Sequence, residues 1–292
     1  MFVAGLPASE GRRQQLVLRP PESARTSPES FRIRPANLTE LRDMDLNETR
    51  TDGAARHPWE AVRTQFFGDL LGQAVTSHTT NSLLDVGAGD AFPARAFAQR
   101  YPNLRITCFD PGYALQPTPP DPAERIEFAA TIPDETFDLV TALDVMEHVE
   151  DDREFLASLV ERLNPQGRLI ISVPAWPALM SSHDVALKHF RRYTPRSLRE
   201  VLTGASLTVE ADGGLFHSLL APRWAIAQAE QRFPQAFGSD GAQHSLEWKG
   251  GKVTRTLFAS ALRADAAVSK LAARRRVSIP GLSVWALCRR TS

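Results

Sequence analysis

Residues 82–90 read Ser-Leu-Leu-Asp-Val-Gly-Ala-Gly-Asp, and this stretch decides the fold. A run of strand type leads directly into two glycines, Gly87 and Gly89, and a helical pattern follows over about residues 92–101. Because glycine has no Cβ and accepts unusual backbone dihedrals, such a turn lets a ligand approach the main chain closely. Open α/β sheets bind ligands at this place, outside the carboxyl ends of their strands. The segment therefore predicts a ligand site immediately after the first strand.

Six further strand-type segments follow, and helical patterns separate most of them. Alternating strands and helices predict a parallel sheet with helices on both faces. The near-continuous apolar runs within these segments agree with buried parallel strands. We therefore expect an α/β protein with a Rossmann-like, seven-stranded, mostly parallel sheet. The predicted strands after the first cover residues 105–109, 125–129, 137–143, 168–173, 207–211 and 283–287.

A carboxylate, Asp110, stands at the end of the second predicted strand, 21 residues beyond Gly89. Nucleotide sites in α/β sheets place an acid here to accept hydrogen bonds from the ribose hydroxyls. A dinucleotide site would have a third glycine where this chain has Phe92, so the sequence disfavours a nicotinamide-dependent oxidoreductase. A nucleoside cofactor without a pyrophosphate fits this turn better.

Three segments resemble motifs of the class I S-adenosylmethionine-dependent methyltransferases, in the order and spacing of that family. They are residues 84–89 (Leu-Asp-Val-Gly-Ala-Gly), residues 137–149 (beginning Phe-Asp-Leu-Val and ending Asp-Val-Met-Glu-His-Val) and residues 163–169 (Leu-Asn-Pro-Gln-Gly-Arg-Leu). The resemblance is to the small-molecule branch and covers about residues 57–212 plus the last strand. It implies S-adenosylmethionine as the cofactor, methyl transfer as the reaction and an antiparallel last strand.

The resemblance also implies cofactor roles by position. The two glycines would pass beside the methionine moiety, Asp85 would support their loop, and Asp110 would hold the ribose hydroxyls. The acid that the family tends to place before a Leu-Pro pair is absent before Ile132-Pro133, so Ile132 is expected to pack against the adenine. The implied cofactor-binding residues are Asp85, Gly87, Gly89, Asp110, Ile132 and Asp144.

Three residues are candidates for catalysis. A sulfonium methyl group is already electrophilic, so the protein mainly has to align the acceptor and exclude water. A general base helps if the acceptor is a hydroxyl, and His148 is the first candidate because histidine titrates near neutral pH. The alternative is a histidine that only packs beneath the cofactor. Asp184 and His189 could instead form a base of the carboxylate–histidine type.

Residues 189–194 read His-Phe-Arg-Arg-Tyr-Thr, which is similar to a segment found in one subgroup of the family. Loops at this end of the sheet line the acceptor pocket, so Arg191, Arg192 and Tyr193 are predicted to bind an anionic or hydroxylated acceptor. The alternative is a lid whose arginines pair with local carboxylates such as Glu147 or Asp184.

No metal ion is expected from the sequence. Asp144, His148, Asp184 and His189 are acceptable ligand types, but they show no tight spacing of the kind that marks metal motifs. The site is therefore predicted to work without a metal.

The domain organisation follows from the position of these motifs. Residues 1–45 are rich in Pro, Ser, Arg and Glu and are predicted to form an irregular arm. Residues 46–217 and 277–292 are predicted to form the cofactor-binding domain. About 70 residues separate strands six and seven, where the family has a short hairpin, so residues 218–276 are expected to form a helical insert that covers the acceptor site.

The stretch from Lys249 to Arg276 carries a local excess of seven positive charges on an amphipathic helical pattern. The plain interpretation is a solvated basic face above a packed apolar face. The alternatives are attraction to an acidic acceptor or peripheral contact with a membrane surface. The formal net charge of the chain is zero, and no binding motif is present, so no nucleic acid partner is expected. No stretch of the sequence is apolar enough to predict a transmembrane segment, and no secretory signal pattern is found. We therefore expect a cytoplasmic protein.

The sequence thus predicts a methyltransferase that acts on a small-molecule acceptor. Oxygen is the favoured accepting atom, and an anionic or lipid-linked acceptor is among the candidates. One alternative is an enzyme that uses the bound sulfonium as a fixed charge for a cyclisation or decarboxylation. Another is a non-catalytic binding subunit, which the intact Gly87, Gly89 and Asp110 disfavour. The oligomeric state is not indicated.

Overall fold

The computed structural model describes residues 56–75, 82–115, 125–233 and 250–291, and the statements below concern these residues. They form a seven-stranded sheet with helices on both faces, as predicted. The arm expected over residues 1–45 and the proline run at 117–122 lie outside the described residues. The strands are β1 (Ser82–Val86), β2 (Arg105–Phe109), β3 (Ile126–Ala129), β4 (Phe137–Leu143), β5 (Leu163–Pro174), β6 (Leu207–Leu215) and β7 (Ser283–Arg290). The helices are α1 (Pro58–Ala74), α2 (Phe92–Arg100), α3 (Asp152–Glu161), α4 (Ser182–Ala186), α5 (Pro195–Gly204), α6 (His217–Arg232) and α7 (Lys252–Arg274).

The strand order is β3-β2-β1-β4-β5-β7-β6. Strands β1 to β5 pair in parallel, and β7 runs antiparallel to both of its neighbours, β5 and β6, which confirms the antiparallel last strand. The chain builds outward from β1 to β3 and then crosses back to β4. The carboxyl ends of β1 and β4 therefore flank the point where the strand order reverses, which is where open α/β sheets bind ligands.

Each face of the sheet has its own apolar core. On one face, α1, α2 and α7 pack over inward-pointing strand residues such as Leu83 and Trp285. On the other face, α3 and α5 pack over residues such as Leu84 and Val140. Alternate residues of one strand thus enter opposite cores, and burial on both sides explains why β1 and β4 are almost continuously apolar.

Three strands, β5, β6 and β7, are longer than predicted, and β7 runs to Arg290 instead of ending at Leu287. Strand β5 begins at Leu163, which pairs with Phe137, and the register then shifts so that Leu139 pairs with Arg168. The turn signal at residues 164–167 is therefore a bulge inside the strand and not a separate turn before it. Gln166 has a positive φ of 67°, as this kind of irregularity requires. Strand β6 extends to Leu215 because β7 offers a matching antiparallel edge.

The segment between β6 and β7 contains α6 and α7. Helix α7 packs against α1 and β6, with Leu262 and Ala266 buried. Its outer face leaves Val253 and Leu257 exposed by 73% and 66%. Asp265 of α7 accepts hydrogen bonds from the backbone amides that begin α6, and this joins the two helices. Within the part of the chain described here, no helix is both long enough and apolar enough to cross a membrane.

Candidate active site

The glycine turn closes tightly against the neighbouring strand ends. Gly87 and Gly89 have φ values of +67° and +51°, which residues with a side chain rarely adopt. A Cβ added to Gly87 would lie 2.6 Å from Cγ2 of Val145. The amides of Gly87 and Ala88 both donate to the carbonyl of Phe109, at 2.8 and 3.1 Å. The turn thus packs closely at the reversal point of the sheet, at positions where only glycine fits without strain.

Asp110 connects the end of β2 to this turn. Its side chain is buried, with Oδ2 accepting from the amide of Gly89 at 3.1 Å and Oδ1 accepting from the amide of Gly112 at 2.7 Å. The hydroxyl of Tyr113 donates to the carbonyl of Gly89 at 2.7 Å. The sequence placed Asp110 beside the glycine turn, and the structure brings the two together.

Asp85, the last polar residue before the turn, is buried at the centre of the sheet. Its Oδ1 accepts a hydrogen bond from Thr141 at 2.6 Å, whereas its Oδ2 is buried without a partner. Burial raises the pKa of Asp85 to about 6, although the Thr141 hydrogen bond opposes the shift. An unpaired buried carboxylate oxygen is costly unless a ligand supplies a donor.

Asp144 follows β4 and adopts a left-handed conformation, with φ +59°. Its Oδ1 accepts from the Ser172 hydroxyl at 2.8 Å, and its Oδ2 forms an ion pair with Arg63 of α1. The guanidinium of Arg63 also lies 5.1 Å from the centre of the Trp59 ring. Sequence reasoning missed Arg63, because it sits in an otherwise ordinary helical pattern and belongs to no motif.

A second ion pair connects the amino-terminal end of α1 to the turn. Arg56 pairs with Glu60 and with Asp90, the residue directly after Gly89, and its guanidinium lies 3.7 Å from the centre of the Phe92 ring. Together with the Arg63 contact, this places the start of α1 over the carboxyl ends of β1 and β4.

The acceptor side of the site is built from two segments. His148 lies in a 3-10 turn after β4, and His189 lies in the loop after β5. Their rings meet edge to face, with 4.5 Å between centroids. The amide of Phe190 donates to the carbonyl of Glu147 at 2.8 Å and holds the segments together. Burial lowers the pKa of His148 to about 3, helped by the nearby His189, and burial raises the pKa of Glu147 well above its ordinary value.

Asp184 is completely buried and holds His189 in place. Its Oδ1 lies 2.8 Å from Nδ1 of His189, so the carboxylate–histidine contact suggested by the sequence exists in the structure. The same carboxylate accepts two hydrogen bonds from Arg192, at 2.8 and 3.1 Å. Burial alone would raise the pKa of Asp184, but the hydrogen bond to His189 and the charge of Arg192 outweigh it and hold that pKa well below its usual range.

The three residues predicted to bind the acceptor are engaged with the protein itself. Arg192 is bound to Asp184, as the alternative interpretation proposed. Arg191 lies 3.0 Å from Asp152, and the buried Tyr193 donates to the same carboxylate at 2.9 Å. These contacts give Arg192 and Tyr193 an internal role that the prediction of acceptor binding did not include. An acceptor would have to displace the ion pair with Asp184 to reach Arg192, and the hydrogen bond to Asp152 to reach Tyr193.

Ile132 lies in the loop between β3 and β4. It is partly exposed and packs against the core on the α3 and α5 face. The structure therefore leaves one side of Ile132 accessible beyond the end of β3.

Comparison with known proteins identifies the family. Residues 57–212 match the family model described as "Methyltransferase domain". The mitochondrial ubiquinone biosynthesis O-methyltransferase of Schizosaccharomyces pombe is 28% identical over 160 residues, which cover 49% of this chain and 57% of that protein. The ubiquinone biosynthesis O-methyltransferase of Rickettsia bellii is 26% identical over 112 residues, covering 32% and 45%. The chain thus spans about half the length of these relatives.

Solved structures give a looser match. Phosphoethanolamine N-methyltransferase 2 of Haemonchus contortus, in complex with phosphomonomethylethanolamine and S-adenosylhomocysteine, has a TM-score of 0.47 at 15% identity. The match covers 86% of this chain and 60% of that one. The family match stands on the sequence of residues 57–212.

The chain belongs to the methyltransferase-domain family, and its sheet order and glycine turn are those of a class I S-adenosylmethionine-dependent methyltransferase. S-adenosylmethionine supplies an electrophilic methyl group when it is bound. The residues present fit this cofactor in one specific respect, because the unpaired Oδ2 of Asp85 is a buried acceptor that a ligand ammonium group would satisfy. The glycine turn beside it carries no side chain at Gly87 or Gly89, and this fits the close approach of a ligand to the main chain.

Proposed function

We propose that this protein transfers a methyl group from S-adenosylmethionine to the hydroxyl oxygen of a small molecule. The observation that carries the proposal is the pairing of two half-sites at one reversal point of the sheet. The glycine turn with Asp85 and Asp110 lies on one side, and the histidine cluster at the end of β4 lies on the other. The similarity to two ubiquinone biosynthesis O-methyltransferases supports oxygen as the accepting atom.

The cofactor half-site follows the roles implied by position. Asp85 would pair with the amino group of the methionine moiety, and Asp110 would accept from the ribose hydroxyls. Gly87 and Gly89 would pass beside the chain of the cofactor, Ile132 would pack against the adenine, and Asp144 would border the methyl group. Because Asp110 already accepts from the amides of Gly89 and Gly112, its orientation is fixed before the cofactor arrives.

His148, His189 and Asp184 form the acceptor half-site in this proposal. Two chemical routes to an activated hydroxyl are open to them. A neutral histidine can take the proton directly, with Asp184 orienting His189, or the cluster can bind a cation that acidifies the hydroxyl. In both routes the protein aligns the acceptor oxygen with the methyl group and keeps water away from it.

The helical segment is proposed to cover the acceptor half-site, within the boundaries 218–276 expected from the sequence. Supporting contacts come from α6, where Arg223 donates to the carbonyl of Leu179 in the loop after β5 at 3.3 Å. Trp224 and Ile226 of the same helix are 56% and 47% exposed. This exposed apolar surface favours an acceptor with an apolar part.

In more detail, we propose that the acceptor is lipid-linked and that the protein makes peripheral contact with a membrane. Exposed apolar side chains alternate with basic ones along the first turns of α7, where Val253 and Leu257 neighbour Lys252 and Arg255. Such a surface suits an anionic lipid interface. A location in the cytoplasm stays a prediction from the sequence.

The test is an acceptor screen that reads the product directly. Purified protein and S-adenosylmethionine are incubated with hydroxylated small molecules, with and without an apolar tail and with and without a carboxylate. Mass spectrometry follows the gain of one methyl group, and S-adenosylhomocysteine is quantified in parallel. An O-methylated product supports the proposal. A rearranged or decarboxylated product without S-adenosylhomocysteine would show the alternative reaction class.

A further inference from the structure

Three potential metal ligands meet beside the carboxyl end of β4. Glu147, His148 and His189 each offer one ligand atom, and these atoms lie within 4.8 Å of one another. A carboxylate and two imidazoles are the donor set of open transition-metal sites, in which three protein ligands leave a position for a further ligand. Glu147 and His148 are adjacent in the 3-10 turn, and only the fold brings His189 to them.

Two of the three side chains carry a buried polar atom that has no hydrogen-bond partner. These atoms are Oε2 of Glu147 and Nδ1 of His148, and Glu147 as a whole is only 1% exposed. A buried acceptor without a partner is costly, and such groups are rare in native proteins unless a function explains them. A cation between the two atoms would satisfy both.

His189, the third side chain of the cluster, is already held in an orientation that suits a metal site. Nδ1 of His189 is bound to Asp184, which leaves Nε2 as the ligand atom. Asp184 is itself fixed by Arg192 and by the amide and hydroxyl of Ser181, at 2.9 and 2.8 Å. Metal-bound histidines typically have such a carboxylate or backbone partner on the second ring nitrogen.

We propose that Glu147, His148 and His189 bind a divalent transition-metal cation of the zinc type, with at least one open ligand position. This set differs from the four residues that the sequence offered. Asp144 is engaged by Arg63 and Ser172, and Asp184 orients a ligand without being one. Glu147 replaces them, because the turn after β4 points its carboxylate into the protein beside both histidines.

The chemical role of the ion rests on the proposed function. An acceptor hydroxyl in the open position would lose its proton to water more readily, because a bound cation lowers the pKa of an oxygen ligand. Both histidines would then act as ligands, and neither would serve as the free base. Binding of the ion itself does not depend on the identity of the acceptor.

The experiment uses the full chain after treatment with a chelator and its removal by dialysis. Zn²⁺ is titrated by calorimetry, and Co²⁺ binding is followed through its visible absorption bands. One ion per chain is expected, together with Co²⁺ bands that report nitrogen and oxygen ligands. Glu147→Gln and His189→Gln should each weaken binding by at least about 10-fold. Asp184→Asn should weaken it about 10–100-fold with one ion still bound, as expected for a residue that orients a ligand.

Glu150→Gln is the matched control, since this neighbouring acidic side chain is exposed and lies outside the cluster. Circular dichroism checks that each variant is folded, and a variant that does not fold is replaced by His148→Asn. Absence of stoichiometric binding, or equal binding by the Glu147 variant and Glu150→Gln, would overturn the proposal. Ion binding without methyl transfer to any acceptor would leave the metal site standing and count against the proposed function. Full methyl transfer by the chain after metal removal would support the proposed function and count against the metal site.

Discussion

Arg63 and Asp144 form an ion pair that connects the first helix to the carboxyl end of the fourth strand. Asp144 is also held by Ser172 of β5, so three elements of the fold converge on a single carboxylate. Both partners are largely shielded, with side-chain exposures of 14% and 26%. The contact keeps α1 over the site and offsets the negative charge of Asp144.

Replacing Arg63 tests this role. Arg63→Gln removes the positive charge and leaves Asp144 without its ion-pair partner, so S-adenosylhomocysteine should bind at least about 10-fold more weakly, the range of a hydrogen bond between charged groups. Calorimetric titration measures the change. Arg196→Gln on the exposed face of α5 is the matched control, because Arg196 pairs with the exposed Glu200. Equal affinities for the two variants would remove Arg63 from the site.

The conformation of Gly87 gives a second prediction. Gly87→Ala puts a methyl group 2.6 Å from Val145 at a backbone angle that alanine disfavours, so the variant should be less stable by roughly 2–4 kcal/mol and should bind cofactor poorly. In the double variant Gly87→Ala/Val145→Ala the clash is removed but the strain of the positive φ remains. Urea unfolding should therefore show partial recovery of stability. Full recovery would mean that the backbone conformation carries no cost.

Asp85 makes the stability of the cofactor-free protein depend on pH. Burial raises its folded pKa to about 6, so its contribution to stability is present at low pH and is lost as the pH rises through 6. Asp85→Asn cannot ionise and should lose less stability between pH 5 and pH 7.5, by about 1.4 kcal/mol, because about half of the total effect of such a pKa shift has already occurred below pH 5. Urea unfolding at the two values of pH checks this. Parallel pH profiles for variant and wild type would contradict the buried, unpaired carboxylate.

Replacing Tyr193 distinguishes a role in stability from a role in acceptor binding. Tyr193→Phe deletes the buried hydrogen bond to Asp152 and should lower the free energy of unfolding by about 1–3 kcal/mol, because the carboxylate loses a donor. The KM for the acceptor found by the screen should stay unchanged. A raised KM without loss of stability would instead support the acceptor contact that the sequence suggested.

Most of the fold was readable from local patterns. The glycine turn, the apolar runs and the alternation with helices predicted the sheet and both of its covered faces. This was possible because a parallel strand that is buried on both faces consists mainly of apolar residues. The start of β5 was not predictable, since residues 164–167 carry an ordinary turn signal. Only the pairing of Leu163 with Phe137 makes that segment a bulge within a strand.

The site was predicted less completely. Asp110 was identified from its position at the end of the second strand, and the Asp184–His189 pair from the polar run after the fifth strand. The structure brings each beside its expected neighbour. Arg63 and Glu147 were missed for different reasons. Arg63 acts 81 residues away from its partner, and no local pattern marks such a contact. Glu147 was visible within a motif, but its burial beside two histidines depends on the loop after β5.

The most direct test of the central claim is a calorimetric titration of the full chain with S-adenosylmethionine, S-adenosylhomocysteine and NAD. We expect one molecule of either adenosyl compound per chain with micromolar affinity, and no binding of NAD. Asp110→Ala should bind the adenosyl compounds roughly 10–100-fold more weakly, whereas Glu200→Ala on the exposed face of α5 should match the wild type. Binding of NAD in place of the adenosyl compounds, or wild-type affinity in Asp110→Ala, would contradict the site described here.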